Sequence, residues 1–127
     1  MAARLYLDTH AVVWLHQGDL SVFSPGGLSA VDSSALVYAP VVMLEIQFLF
    51  EIGRISVGPE IILADLRQDV GLEICPQPYL DVMQAACQES WTRDPFDRAI
   101  VAQARRTTSP LLTRDRKIQE HYAAAFW

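Results

Sequence analysis

Arg4-Leu5-Tyr6-Leu7-Asp8 and, after Thr9-His10, Ala11-Val12-Val13-Trp14-Leu15 set an order of elements that the rest of the chain follows. The first run is β-prone and ends in a charge, while the second is too apolar for a loop and is spaced like a buried helix. The order is strand, then helix. Working outward, Gly18 to Gly27, with Pro25-Gly26-Gly27, reads as punctuation. Leu28 to Ser34 reads as a short helix, and Ala35 to Ala39 as a second strand halted by Pro40. Val41, Leu44, Phe48, Leu49 and Ile52 recur at helical intervals before Gly53, a natural stop. Gly58-Pro59 opens a helix over Glu60 to Val70; Leu72 to Cys75 reads as strand and Leu80 to Glu89 as helix. Asp94 is suited to cap, and Pro95 to begin, a helix running through Arg106. Pro110 to Thr113 then reads as strand, Arg116 to His121 as a last helix, and Tyr122 to Trp127 as a final edge strand. No repeat, linker or low-complexity tract interrupts the series, so 1–127 is expected to be a single domain. Strands alternating with helices predict an α/β fold, a three-layer α/β/α sandwich around a mostly parallel sheet.

The composition agrees with one packed core: 127 residues, 51% hydrophobic and 20% charged. It excludes disorder, collagen and coiled coil. Asp8, Glu45, Glu51 and Arg54 break the most apolar stretches well short of the roughly 18 to 20 residues of a membrane span. Arg4 followed only by Leu5 to Leu7 lacks the roughly 7 to 15-residue apolar centre of a secretory signal. A soluble cytoplasmic protein is therefore expected, with no membrane contact. Cys75 and Cys87 have neither metal-pair spacing nor disulfide density and are expected to be reduced and packed. The net charge of −5 divides unevenly: residues 1–90 carry 3 Lys+Arg against 11 Asp+Glu, and 91–127 carry 7 against 4. A basic final third on an acidic whole is a weak nucleic-acid signal and equally an ordinary solvated surface.

Four acids stand where the pattern does not require them. At about 100° per residue, Glu45 falls inside the arc of Val41, Leu44, Phe48 and Ile52, and Asp97 lies on the side of Ile100, Ala104 and Val101. A carboxylate facing a core must be neutralised, hydrogen-bonded or bound to a cation. A buried ion pair would satisfy Glu45, and a helix N-terminus would satisfy Asp97. Asp8 ends the first strand and Asp115 lies two residues beyond Thr113, at the sheet edge where open α/β folds bind ligands. Either could equally be a helix cap. If all four converge, repulsion raises their pKa values unless a divalent cation compensates, and oxygen-only ligands suit Mg²⁺ or Mn²⁺ better than Zn²⁺. Phosphoryl transfer is the chemistry that commonly uses such a site.

Four blocks carry a family resemblance. They are Leu7-Asp8-Thr9-His10 with Trp14-Leu15; Leu44-Glu45-Ile46 leading to Glu51-Ile52-Gly53-Arg54-Ile55; Arg93-Asp94-Pro95-Phe96-Asp97-Arg98 followed by Ile100-Val101-Ala102-Gln103-Ala104; and Leu111-Leu112-Thr113-Arg114-Asp115. In this order they resemble the PIN-domain ribonucleases, specifically the VapC-type toxins of toxin–antitoxin pairs, over nearly the whole chain. The resemblance implies a PIN fold, Mg²⁺- or Mn²⁺-dependent endoribonuclease activity on RNA, and a homodimer. It also implies a VapB-type antitoxin whose C-terminal segment covers the active site, giving a hetero-oligomer. It makes Asp8, Glu45, Asp97 and Asp115 the metal ligands, Asp94 a supporting acid, Thr113 a hydroxyl contact and Thr9 part of the Asp8 turn. Two departures stand out. Tyr38-Ala39-Pro40-Val41-Val42-Met43 replaces the Ser-rich strand end common before the glutamate, and Trp91-Thr92 precedes Arg93 where many relatives have a His.

Arg98, Arg114, Arg116 and Lys117 flank the acids and are candidates to hold an RNA backbone, or else are surface charge. His10, His16 and His121 lack a matching acid and nucleophile, so no hydrolase triad is expected and they read as structural or exposed. Trp14, Trp91 and Trp127 read as packing residues rather than base-stacking ones. The Val41–Ile52 helix and the next, with Ile61, Ile62, Leu63 and Leu66, carry more apolar surface than a small sheet needs, which points to a dimer or antitoxin groove. A non-catalytic RNA- or protein-binding module is the alternative function. A phosphorylatable receiver domain is disfavoured by the missing acidic pair and strand-end lysine.

Overall fold

The computed structural model describes residues 3–127. Its centre is β1 (Arg4–Leu7), whose Leu5, Tyr6 and Leu7 are all buried, as a strand covered on both faces requires. Parallel neighbours pair on either side: β2 (Ala35–Tyr38) and then β3 (Glu73–Ile74), and β4 (Leu111–Leu112) and then β5 (Ala125–Phe126). The order β3-β2-β1-β4-β5 makes a five-stranded, all-parallel sheet among the described residues. Helices α1 (Thr9–Gln17), α2 (Pro25–Ser33), α3 (Pro40–Glu51), α4 (Pro59–Val70), α5 (Tyr79–Cys87), α6 (Pro95–Arg106) and α7 (Arg116–His121) flank it. No helix among the described residues is long and apolar enough to cross a membrane.

Local chemistry explains most boundaries. Gly18 and Gly71 close α1 and α4 in the left-handed conformation, with positive φ of 79° and 72° that other residues disfavour. Gly53 does the same one residue beyond the Ile52 cap of α3, where the amide of Arg54 reaches back to the Leu49 carbonyl at 2.9 Å. Pro25-Gly26-Gly27 is not punctuation, however. Ser24 caps the helix through a bond from the Gly27 amide, and Pro25 starts α2 three residues earlier than the glycines suggest. Gly27 is small because a Cβ there would lie 3.3 Å from the backbone of Trp127 and 3.4 Å from Leu112. A 3-10 turn over Leu20–Val22 occupies part of the same supposed loop. The edge strands are also shorter than the apolar runs that announce them, with two paired residues each in β3 and β5.

Helix α3 turns a different face inward from the one its spacing predicts. Val42 and Ile46 are fully buried, while Leu44, Phe48 and Ile52 are 61%, 47% and 51% exposed. Every residue of α3 except Glu45, Gln47 and Glu51 is apolar, so periodicity alone cannot select the core side. In α4, Ile62, Leu63 and Leu66 are buried and Ile61 is exposed, extending the apolar surface left by α3. Cys75 is buried as expected, whereas Cys87 is exposed. Trp14, Trp91 and Trp127 pack against the core.

Candidate active site

All five strands point the same way, so the loops leaving their C-terminal ends gather at one edge of the sheet. Asp8 leaves β1 there and caps α1, accepting the Thr9 amide at 2.8 Å. Asp8 is 3% exposed, and its carboxylate accepts the Thr113 hydroxyl at 2.6 Å from the end of β4. Thr113, completely buried, in turn accepts the Asp115 amide at 3.1 Å. Asp115 caps α7 by accepting the Lys117 and Ile118 amides. Asp94 caps α6 by accepting those of Phe96 and Asp97. Glu45, on the second turn of α3, receives a hydrogen bond from the Thr9 hydroxyl.

Electrostatics show that these acids share one field. Burial raises the Glu45 carboxyl to about 7, opposed by the Thr9 hydrogen bond and reinforced by Asp8 and Asp94. Burial also raises Asp97 to about 8, with further contributions from Asp8, Asp94, Asp115 and Glu45. Asp97 therefore feels every other predicted acid. Unlike Glu45, it has no compensating hydroxyl among the causes of its shift. Yet the described residues hold no ready-made cage of three or more acidic, imidazole or thiol ligands. The carboxylates are engaged elsewhere: Asp8, Asp94 and Asp115 each accept at a helix N-terminus, and Glu45 accepts from the Thr9 hydroxyl.

The predicted basic residues divide. Arg98 is partly buried, and its Nε, donating to the Thr92 carbonyl at 2.8 Å, orders the loop before α6. Arg114 is exposed, with its guanidinium 5.7 Å from the Trp14 ring centroid. Arg116 and Lys117 are exposed in the first turn of α7. Sequence reading missed His10 as a neighbour of the site. Its Nε2 accepts the Arg114 amide at 2.9 Å and its Nδ1 lies 3.6 Å from Asp8 Oδ2. The available signal was position, two residues beyond Asp8 on the first turn of a helix.

This architecture has relatives. The chain belongs to the PIN domain family, whose model matches residues 5–124. The VapBC2 structure from Rickettsia felis bound to a DNA fragment from its promoter superposes with a TM-score of 0.65 at 14% identity, covering 92% of each chain. PAE2754 from Pyrobaculum aerophilum gives 0.65 at 18% identity, over 99% of this chain and 90% of that one. DNA-bound VapBC from Salmonella typhimurium gives 0.61 at 16% identity, over 97% and 95%. At these identities the likeness is one of fold. No curated protein matches the chain in sequence.

Proposed function

We propose that the chain is a metal-dependent endoribonuclease acting as the toxin of a toxin–antitoxin pair. The observation carrying this reading is the convergence of Asp8, Glu45, Asp97 and Asp115 on one sheet edge, with Glu45 and Asp97 held above the usual carboxylate range. A donor set of carboxylates and hydroxyls, with excess negative charge, fits Mg²⁺ or Mn²⁺ in its chemistry. Closing a first shell requires the carboxylates to trade some of their present hydrogen bonds for the ion.

A bound divalent ion supplies Lewis-acid stabilisation of phosphate charge and a nucleophilic water at neutral pH. Asp8, Glu45, Asp97 and Asp115 hold the ion in this reading, and Asp94 supports them by ordering the start of α6. Thr113 and Thr9 orient Asp8 and Glu45. With Glu45 and Asp97 raised towards neutrality, the site can hold protons that an entering divalent ion would displace. Arg114, Arg116 and Lys117 stand exposed beside the site to meet an RNA backbone, with Arg98 ordering the adjoining loop.

The partners follow from the same reading: a VapB-type antitoxin, in keeping with the VapBC relatives, and a second copy of the chain forming a homodimer in the cytoplasm. The acidic first 90 residues complement a basic antitoxin segment. The alternative, a PIN-fold module that binds RNA or protein without turnover, is favoured by one observation, the lack of a preformed ligand cage among the described residues. Cleavage of a structured-RNA panel by antitoxin-free protein with Mg²⁺ or Mn²⁺, against EDTA and Asp97→Asn controls, separates them. Metal-dependent cleavage lost in Asp97→Asn supports the nuclease, and a folded protein that binds no metal supports the module.

A further inference from the structure

Two segments distant in sequence must keep a fixed spacing if Asp8 and Asp115 are to serve one ion, and two side chains tie them. Thr113 is one, bonded to both acids. His10 is the other, because its Nε2 accepts the backbone N–H of Arg114, the residue between Thr113 and Asp115. An accepting Nε2 places the proton of the neutral ring on Nδ1, so Nδ1–H faces Asp8 Oδ2. At 3.6 Å that approach is too long for a full hydrogen bond.

The ring is not free to turn. Trp14 packs against it with centroids 4.9 Å apart, and Trp127 approaches to 6.0 Å. Trp127 is held in its turn. It stacks on Phe23 at 4.6 Å and donates its indole N–H to the Val22 carbonyl at 2.9 Å, while its own carbonyl accepts the Ser24 hydroxyl. Three aromatic rings and the 3-10 turn thus brace one imidazole beside Asp8.

We infer that His10 is a positioning residue that fixes the Arg114–Asp115 turn against Asp8 and thereby sets the site's affinity for its divalent ion. This rests on the metal reading above. Outer-shell partners of metal ligands typically change affinity by about 10 to 100-fold. The functional atom is Nε2, an acceptor, and the test separates it from the bulk of the ring. His10→Phe keeps the aromatic packing and loses the acceptor, whereas His10→Gln places an amide oxygen near the same point.

The experiment measures two quantities on the whole chain: hydrogen exchange of the Arg114 amide and Mn²⁺ affinity without RNA. In His10→Phe, Arg114 exchange is expected to rise and Mn²⁺ affinity to fall by about 10-fold, with His10→Gln restoring both to within a few-fold of wild type. Undiminished Mn²⁺ affinity in His10→Phe overturns the positioning role alone. An Arg114 amide that stays protected overturns the hydrogen bond itself. Exchange that rises equally at the core amides of Tyr6 and Leu111 makes His10 a folding residue and also overturns the proposal. A wild-type protein that takes up no Mn²⁺ overturns the metal reading, and the positioning role falls with it whatever Arg114 does.

Discussion

In the absence of divalent ions, stability should fall as pH rises from about 5 to about 8, and Asp97→Asn should remove much of that fall. An unfolded Asp titrates near 3.8, whereas Asp97 in the folded chain titrates at about 8. Between those values the folded state holds a proton that the unfolded state has released. The stabilising contribution of protonated Asp97 is therefore present below the unfolded value and lost as pH rises through the folded one. Glu45 adds to the same slope, being raised from 4.5 to about 7. At about 1.4 kcal/mol per pH unit the Asp97 gap alone sets a ceiling of roughly 6 kcal/mol, about 4 of it between pH 5 and pH 8. Partial exposure and the coupling of four acids reduce it, so about 1–3 kcal/mol is expected. Urea denaturation in EDTA at pH 5 and pH 8 measures it. Asp97→Asn, neutral at both, should be more stable than wild type at pH 8 by about 1–2 kcal/mol and less pH-dependent. Wild-type stability that is flat or rises over this range, or an Asp97→Asn protein no more stable at pH 8, would refute the shared acidic field.

Mg²⁺ at about a hundred times its Kd should stabilise wild type at pH 8 by about 2.7 kcal/mol and leave Asp97→Asn nearly unchanged, as thermal denaturation would show. Thr113→Val deprives Asp8 of a buried donor and the Asp115 amide of its acceptor, and should cost about 1–3 kcal/mol in urea titrations besides weakening Mn²⁺ binding. Arg105→Ala strands the Glu89 carboxylate, which is 7% exposed and paired at 2.9 Å, and should cost about 2 kcal/mol by the same assay without altering metal affinity. Phe48→Glu alters a side chain 47% exposed, so it should change monomer stability by less than about 1 kcal/mol. Sedimentation equilibrium should show it weakening self-association if the exposed face of α3 is the homodimer contact.

The alternation of strands and helices and the mostly parallel sheet were legible in the sequence because each depends on local chemistry: β-prone runs ended by acids, and prolines or glycines at helix ends. The inward face of α3 was not legible, since Leu44, Phe48 and Ile52 are as apolar as Val42 and Ile46 and only the sheet decides between them. The short edge strands were obscured in the same way. The apolar Leu72 and Cys75 are buried just outside β3, so burial extends farther than pairing.

The sequence also posed the question of Asp as helix cap or Asp as ligand, and the structure shows the caps. Asp8, Asp94 and Asp115 are all caps. In an all-parallel sheet a helix that follows a strand begins at the strand's C-terminal end, and that is the case for Asp8 and Asp115. A helix that leads into the next strand, as α6 leads into β4, begins at that same edge, which brings Asp94 and Asp97 to it. Capping supplies each carboxylate with amide donors while its helix delivers it to the common edge. Asp97 is the exception that carries most information: its amide is capped by Asp94, but its own carboxylate lies among acids and is raised the furthest. A cation entering this edge would relieve Asp97 more than Glu45, the other raised acid, which is why its neutralisation is the most direct test of the site.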